Sequence, residues 1–366
     1  MKKTVRVAAV LGVAALVLAG CGERPSDSDD TTASSDKSSI EAGKQYPNFK
    51  ACMVSDSGGF DDKSFNQTSH DGLENAKKRH GIKTAEVESN SDAEYPGNIK
   101  ALLKQGCKQI TTVGFKLGPA TETAAKQNPK VDFAIVDFAY FNEAGKNIAQ
   151  PNVKGLTFNT DEPAFLAGYL AASQTETGKV GTFGGANIPT VTIFMNGFSA
   201  GVDKFNEMND ADVQVVGWDA AEQKGSFTED FENRSKGQAI AETLIRQGAD
   251  IIMPVAGPSG LGGLKAVKEA DVKGIWVDTD GCVSAAEYCD VLLTSVMKRM
   301  DTAVEEAIVE SIEGNTTKEP YVGTLANDGV ALGPLHDFED DVDKDVMDQI
   351  EEFKQQIIDG ELKVSS

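Results

Sequence analysis

Three aspartates, Asp56, Asp137 and Asp278, each stand at or just beyond the end of a short apolar run of strand length, and Lys298 follows a fourth such run. A carboxylate accepts hydrogen bonds and an ammonium donates them, so the set suits a small polar ligand carrying hydroxyl or N–H groups. Aromatic rings accompany it. Phe65 enters the helical pattern after Asp56, with Asn66 offering a donor and an acceptor beside it, and Trp218 and Phe227 follow a run in the second half. Gly257-Pro258-Ser259-Gly260 opens behind another run and brings backbone amides. Each of these residues also has an ordinary structural use. Phe65 fits an amphipathic helix core position, and Asp56 and Asp278 fit N-caps. Lys298 reads as the start of a helix over 297–314, where a cation opposes the dipole. Such a placement calls for a partner, either Asp278 or the ligand.

Charge and composition exclude several chemistries. The 366 residues hold 35 Lys and Arg against 57 Asp and Glu, a net charge of −22 that repels nucleic acid and polyphosphates alike. Only His70, His80 and His336 occur, with no pair at helical ligand spacing, so a zinc hydrolase is excluded and no cofactor is expected. Residues 257–263 are glycine-rich but lack the Gly-Lys-Ser/Thr ending of a phosphate loop; they read as a tight turn near a neutral ligand. The acidic stretches 305–313 and 339–352 read as solvated helix faces.

The elements that must position these residues alternate β and α. Strands are expected over 50–55, 83–88, 109–114, 131–137 and 153–158. A second set covers 179–183, 213–218, 251–255, 274–277 and 291–295. Helical patterns fill the intervals, with stop signals at Gly81, Gly106, Gly178 and Gly248. First-turn prolines are expected at Pro119 and Pro163, with Asp161 as an N-cap. This alternation implies parallel sheets covered by helices on both faces. Ten strands exceed one ordinary lobe, so the chain reads as α/β with two doubly wound parallel-sheet lobes. We place lobe 1 at 46–158 with part of 296–325, and lobe 2 at 159–295 with part of 326–366. Crossings are expected near Asn159, Val296 and Ala326. Ligands of such sheets bind beyond the carboxyl ends of strands, where the polar residues above stand.

Residues 1–20 read as a signal peptide. Lys2, Lys3 and Arg6 precede a 13-residue apolar run, too short to span a bilayer. Leu18-Ala19-Gly20-Cys21 resembles the lipobox of bacterial lipoproteins, which implies cleavage before Cys21 and its lipidation, including palmitate-type acylation. Residues 21–45, rich in Ser, Thr and Asp, read as a flexible tether. Four cysteines remain, an even number suited to an oxidising, extracytoplasmic setting. Of three possible pairings, Cys282–Cys289 closes a short loop and Cys52–Cys107 joins the starts of neighbouring strands; four inert thiols are the alternative.

The run from Asp56 to Gln67, Asp56-Ser57-Gly58-Gly59-Phe60-Asp61-Asp62-Lys63-Ser64-Phe65-Asn66-Gln67, resembles the opening signature of the basic membrane protein family. Phe133-Ala134-Ile135-Val136-Asp137, Met195-Asn196-Gly197-Phe198, Trp276-Val277-Asp278-Thr279-Asp280 and Thr294-Ser295-Val296-Met297-Lys298-Arg299 fit it too. These are lipoproteins that serve as purine-nucleoside receptors of ABC importers, and the resemblance implies a type I periplasmic-binding-protein-like fold. It implies a purine clamped between Phe65 and a second ring, Phe227, with Trp218 as the fallback. It further implies Asp137 and Asn66 on the base edge, and Asp56, Gly257, Asp278 and Lys298 on the ribose. The stretch 220–236 departs from the family pattern by extra length and acidity. The expected function is capture of inosine, guanosine or adenosine and delivery to a membrane permease. The expected molecule is a monomer on the extracytoplasmic face, with no reaction catalysed. A monosaccharide receptor on the same scaffold, a surface adhesin or sensor, and a nucleoside hydrolase are the alternatives.

Overall fold

A computed structural model describes residues 43–364. The signal peptide, Cys21 and nearly all of the tether lie outside the described residues. The strands are β1 Lys50–Val54, β2 Lys83–Val87, β3 Gln109–Val113, β4 Asp132–Val136, β5 Val153–Phe158, β6 Lys179–Gly184 and β7 Gln214–Val216. They continue with β8 Trp218–Asp219, β9 Lys224–Gly225, β10 Ile251–Val255, β11 Lys273–Asp278, β12 Leu292–Lys298, β13 Tyr321–Gly323 and β14 Val330–Leu332. The helices are α1 Phe65–His80, α2 Tyr95–Lys104, α3 Gly118–Gln127, α4 Asp161–Gln174, α5 Pro189–Asn209, α6 Arg234–Arg246, α7 Gly257–Glu269, α8 Gly281–Ser284, α9 Met300–Glu313 and α10 Lys344–Ile358.

Two six-stranded sheets result, with orders β13-β5-β4-β3-β1-β2 and β14-β12-β11-β10-β6-β7. The orders correspond strand for strand, so each sheet is one doubly wound lobe. Within these two sheets every pairing is parallel except β12 with β14. The central strands read as continuous apolar or small-residue runs because helices cover both faces; β3 and β10 are buried throughout. Helix α1 ends at Gly81, whose positive φ (61°) lets its amide donate to the Lys77 carbonyl. Prolines stand in the first turn of α2, α3, α5 and α7.

Several local expectations need correction. Asp161 is the first residue of α4 rather than its N-cap, a place taken by Thr160. The expected strand over 213–218 breaks at Gly217 (φ 88°) into β7 and the small β8–β9 ribbon. The strand expected to end at 295 runs on to Lys298, which pairs antiparallel with Val330, and the following helix starts only at Met300. Lys298 is therefore a strand end and opens no helix. Residues 257–263 form the first half of α7, not a turn. Gly237 and Gly262 let α6 and α7 approach closely: a Cβ at Gly262 would lie 1.8 Å from the Arg234 carbonyl oxygen. Glu305 is not on a solvated face; it is buried between α1 and α9 and pairs with Arg79 at 3.1 Å.

Two three-residue strands, β13 and β14, escaped the sequence reading. They complete one edge of each sheet, so the chain passes between lobes at β5–α4, β12–α9 and β13–β14. Val296 lies inside β12, paired with Val277 and Leu332, so the middle crossing falls at Arg299 instead. Disulfides join Cys52 with Cys107 and Cys282 with Cys289. No helix among the described residues is long and apolar enough to cross a membrane.

Candidate ligand-binding cleft

The carboxyl ends of β1, β4, β10, β11 and β12 converge on one cleft between the sheets, lined by residues of both lobes. On the first lobe, β1 gives way to a loop in which Gly58 and Gly59 take φ of 109° and 70°. The Asp62 carboxylate then accepts backbone N–H bonds from Ser64, Asn66 and Gln67 at 3.0, 2.8 and 3.0 Å. That clamp satisfies donors that the first turn of α1 would otherwise leave unpaired. It also fixes the pitch at which Phe65 and Asn66 enter the cleft. Asp62, not Asp56, is the capping aspartate.

Asp56 is then available to the site. The Asn66 amide donates to it at 2.9 Å and to the Ser57 carbonyl at 3.3 Å, which leaves Asn66 Oδ1 buried with no partner. An unpaired buried acceptor is costly, so this atom calls for a donor from a bound molecule. Burial lifts the Asp56 carboxyl to about 7, against the Asn66 hydrogen bond that lowers it, while Asp62 and Asp137 repel and Lys116 attracts. Burial likewise lifts Asp62 to about 6, its three amide donors opposing.

Asp137 follows β4 and Asp278 ends β11, equivalent strands of the two lobes, and both take left-handed φ, 61° and 71°. That conformation is uncommon outside glycine, though Asp tolerates it, and it turns both carboxylates onto one ammonium. Lys298 Nζ lies 2.8 Å from Asp137 Oδ2 and 3.5 Å from Asp278 Oδ1, and Lys298 is 2% exposed. Burial pulls its pKa down, but the two carboxylates outweigh that and hold it above the ordinary value. Asp137 is pushed up by burial, with Lys298 opposing. The same ammonium lies over the rings of Phe65, Phe194 and Phe158 at 4.8, 5.5 and 5.7 Å. Two further contacts tie the lobes: Ser64 Oγ donates to Asp278 Oδ2 at 2.5 Å, and the Trp276 indole donates to the Lys63 carbonyl at 3.2 Å. The structure is thus a closed form.

Of the residues singled out in the sequence, Asp56, Phe65, Asn66, Asp137, Gly257, Asp278 and Lys298 all line the cleft. Phe227 and Trp218 do not. Their rings pack edge to face at 5.9 Å; Trp218 donates to Asn196, and Phe227 bridges to Gly184. The second lobe instead offers Phe231, whose ring covers Gly185, where a Cβ would lie 2.3 Å from its Cε1. The double glycine Gly184-Gly185 at the end of β6 is the sequence signal for two rings packing there, one on each glycine. Phe194 also lines the cleft, although its helical spacing with Phe198 and Val202 is that of a core position. Gly257 opens α7 at φ 49°, a conformation that favours glycine.

The raised carboxyls set a pH dependence. A carboxyl with a folded pKa above its unfolded value near 4 binds more protons when folded, so stability falls as pH rises. For Asp56 that loss runs from about pH 4 through 7. Urea unfolding of the ligand-free protein should therefore give a higher midpoint at pH 5 than at pH 8. The Asp56→Asn variant should show a smaller difference, and an equal one would contradict a carboxyl lifted here by burial.

Comparison with known proteins agrees with this architecture. Residues 49–366 match the Bmp family model, described as ABC transporter substrate-binding protein PnrA-like. The chain is 31% identical over 384 residues to the ABC transporter nucleoside-binding protein BmpA of Lactococcus lactis subsp. cremoris, covering 100% of this chain and 99% of that one. It is 33% identical over 385 residues to the CD4+ T-cell-stimulating antigen of Listeria innocua, covering 99% and 98%. A solved solute-binding protein of an ABC transporter system from Aeropyrum pernix K1 superposes with a TM-score of 0.75 at 26% identity, over 86% of this chain and 92% of that one. The chain belongs to the Bmp family of PnrA-like ABC transporter substrate-binding proteins.

Proposed function

We infer that this protein captures purine nucleosides between its closing lobes, held to the extracytoplasmic membrane face by a lipid on Cys21, and hands them to an ABC permease. It binds as a monomer and catalyses no reaction on them. The observation that carries the reading is the pair of rings, Phe65 on one lobe and Phe231 on the other, lining a cleft with the buried Asp137–Lys298–Asp278 cluster. A flat heterocycle fills the space between two rings, and stacking contributes roughly 1–3 kcal/mol per base. Asn66 Oδ1, an acceptor without a protein partner, and Asp137 take the N–H groups of the base edge. Asp56, Asp278, Lys298 and the backbone at Gly257 take the ribose hydroxyls, which donate and accept at once. A nucleotide is disfavoured because four carboxylates, Asp56, Asp62, Asp137 and Asp278, line the same cleft.

Calorimetric titration with inosine, guanosine, adenosine, uridine, ribose and inosine monophosphate tests this. Purine nucleosides should bind at least tenfold more tightly than uridine, with ribose and the monophosphate weaker still. Binding of ribose without nucleosides would overturn the reading in favour of a sugar receptor.

A further inference from the structure

The edge of the first sheet at which its strands begin, opposite the ligand cleft, is strongly basic. Lys50 opens β1, Lys83 opens β2, Lys108 immediately precedes β3 and Lys130 stands just before β4. They are neighbours in the sheet: Lys50 is in register with Lys83, and the Lys108 amide donates to the Lys50 carbonyl at 2.8 Å. Helices α2 and α3 run back to this edge and carry Lys104 and Lys126 in their last turns. All but Lys50 are exposed. Glu122 neutralises Lys126 at 2.6 Å, and Asp132 is engaged by the Ser311 hydroxyl at 2.5 Å. Among the described residues, Lys83, Lys104, Lys108 and Lys130 have no ion-pair partner.

The second sheet repeats the strand order with an edge of mixed sign, where Lys179 opens β6 and Lys273 opens β11 among acidic residues. Asp212 stands before β7, Asp250 immediately before β10 and Asp271 before β11, where the first lobe has Lys83, Lys108 and Lys130. A net charge of −22 does not predict a basic edge, and the equivalent edge of the other lobe lacks one. The N-terminal segment joins the body at this same edge. Gln45 and Tyr46 line a groove with Lys108 and Lys130, and the Tyr46 amide donates to the His80 carbonyl at 2.8 Å.

We propose that this edge of the first lobe is a membrane-docking face that takes anionic phospholipid headgroups. Unpaired ammonium groups donate to phosphate oxygens, and each basic residue near an anionic surface adds to the attraction. The overall negative charge does not prevent this. A five-residue strand is about 17 Å long, roughly two Debye lengths in physiological salt, so the cleft carboxylates are screened from the lipid plane. With this edge on the bilayer, the cleft at the other strand ends faces the medium from which ligand arrives, so the docked state is one of capture that the protein leaves to meet the permease. The proposal rests on membrane association of the protein and not on which ligand the cleft takes.

The test uses residues 22–366, which carry neither an acyl chain nor the apolar run of the signal peptide, and vesicles of phosphatidylglycerol with phosphatidylcholine against phosphatidylcholine alone. We expect co-sedimentation with the anionic vesicles only, weakening as salt is raised. The Lys83→Glu, Lys108→Glu, Lys130→Glu triple variant should partition about 100-fold less, through loss of about three surface contacts. Its circular dichroism and nucleoside titration should match the parent, which separates a docking defect from misfolding and from failure of the nucleoside reading. Equal binding to both vesicle types would overturn the proposal. So would an unchanged triple variant, or capture by a polyanionic cell-wall polymer without binding to vesicles.

Discussion

Replacing Lys298 with methionine is expected to abolish measurable ligand binding and to destabilise the body by about 3–5 kcal/mol, the usual result of removing one partner from a buried ion cluster. Methionine nearly matches the lysine stem, so little of the loss arises from packing. What remains is two buried carboxylates, Asp137 and Asp278, that face one another's charge with no ammonium between them. The defect should be smaller at pH 5 than at pH 8, because protonating one carboxyl relieves it. A cavity-type defect would show no such recovery. Thermal unfolding at the two pH values, with titration at each, checks both parts. Wild-type affinity in Lys298→Met would contradict the assignment of this cluster to the ligand.

Removing either ring should be nearly as harmful to binding while leaving the fold intact. Phe65→Ala and Phe231→Ala are each expected to lower purine-nucleoside affinity about ten- to hundredfold, following the range for base stacking on an aromatic side chain. Both rings are only half-buried, so unfolding midpoints should move little. Phe65→Tyr should keep most of the affinity, since the flat face is retained. Phe227→Ala should change affinity less than about twofold while costing stability, because that ring packs on Gly184 and Trp218 away from the cleft. The reverse pattern, with Phe227 essential and Phe231 dispensable, would return the second ring to the residue first read from the sequence.

That exchange of Phe227 for Phe231 shows where sequence reading reaches its end. The parallel strands were legible because burial on both faces makes them continuous apolar runs, and the polar residues at their ends stood out against that pattern. Asp56, Asp137 and Asp278 were visible for this reason. Which of two phenylalanines four residues apart reaches the cleft depends on the loop between β9 and α6, whose path follows close packing on Gly184 and Gly185 rather than any periodic pattern. Lys298 was found but misplaced on a helix. Its strand is extended by pairing with β14, three residues that come from more than thirty positions downstream. The Ser64–Asp278 and Lys63–Trp276 contacts between lobes were illegible, since each joins residues over 200 positions apart. Glu305 misled because an acidic run ordinarily marks a solvated helix face, whereas Arg79 at the end of α1 draws this one inward.

The central claim is that a flat base lies between rings from opposite lobes while buried charges hold its sugar. A crystal structure of the protein with inosine bound tests it most directly. The account predicts the hypoxanthine ring sandwiched by Phe65 and Phe231, its edge on Asn66 and Asp137, and the ribose hydroxyls on Asp278 and Lys298. Inosine seated elsewhere, or bound in the cleft with neither phenylalanine against its base, would contradict it.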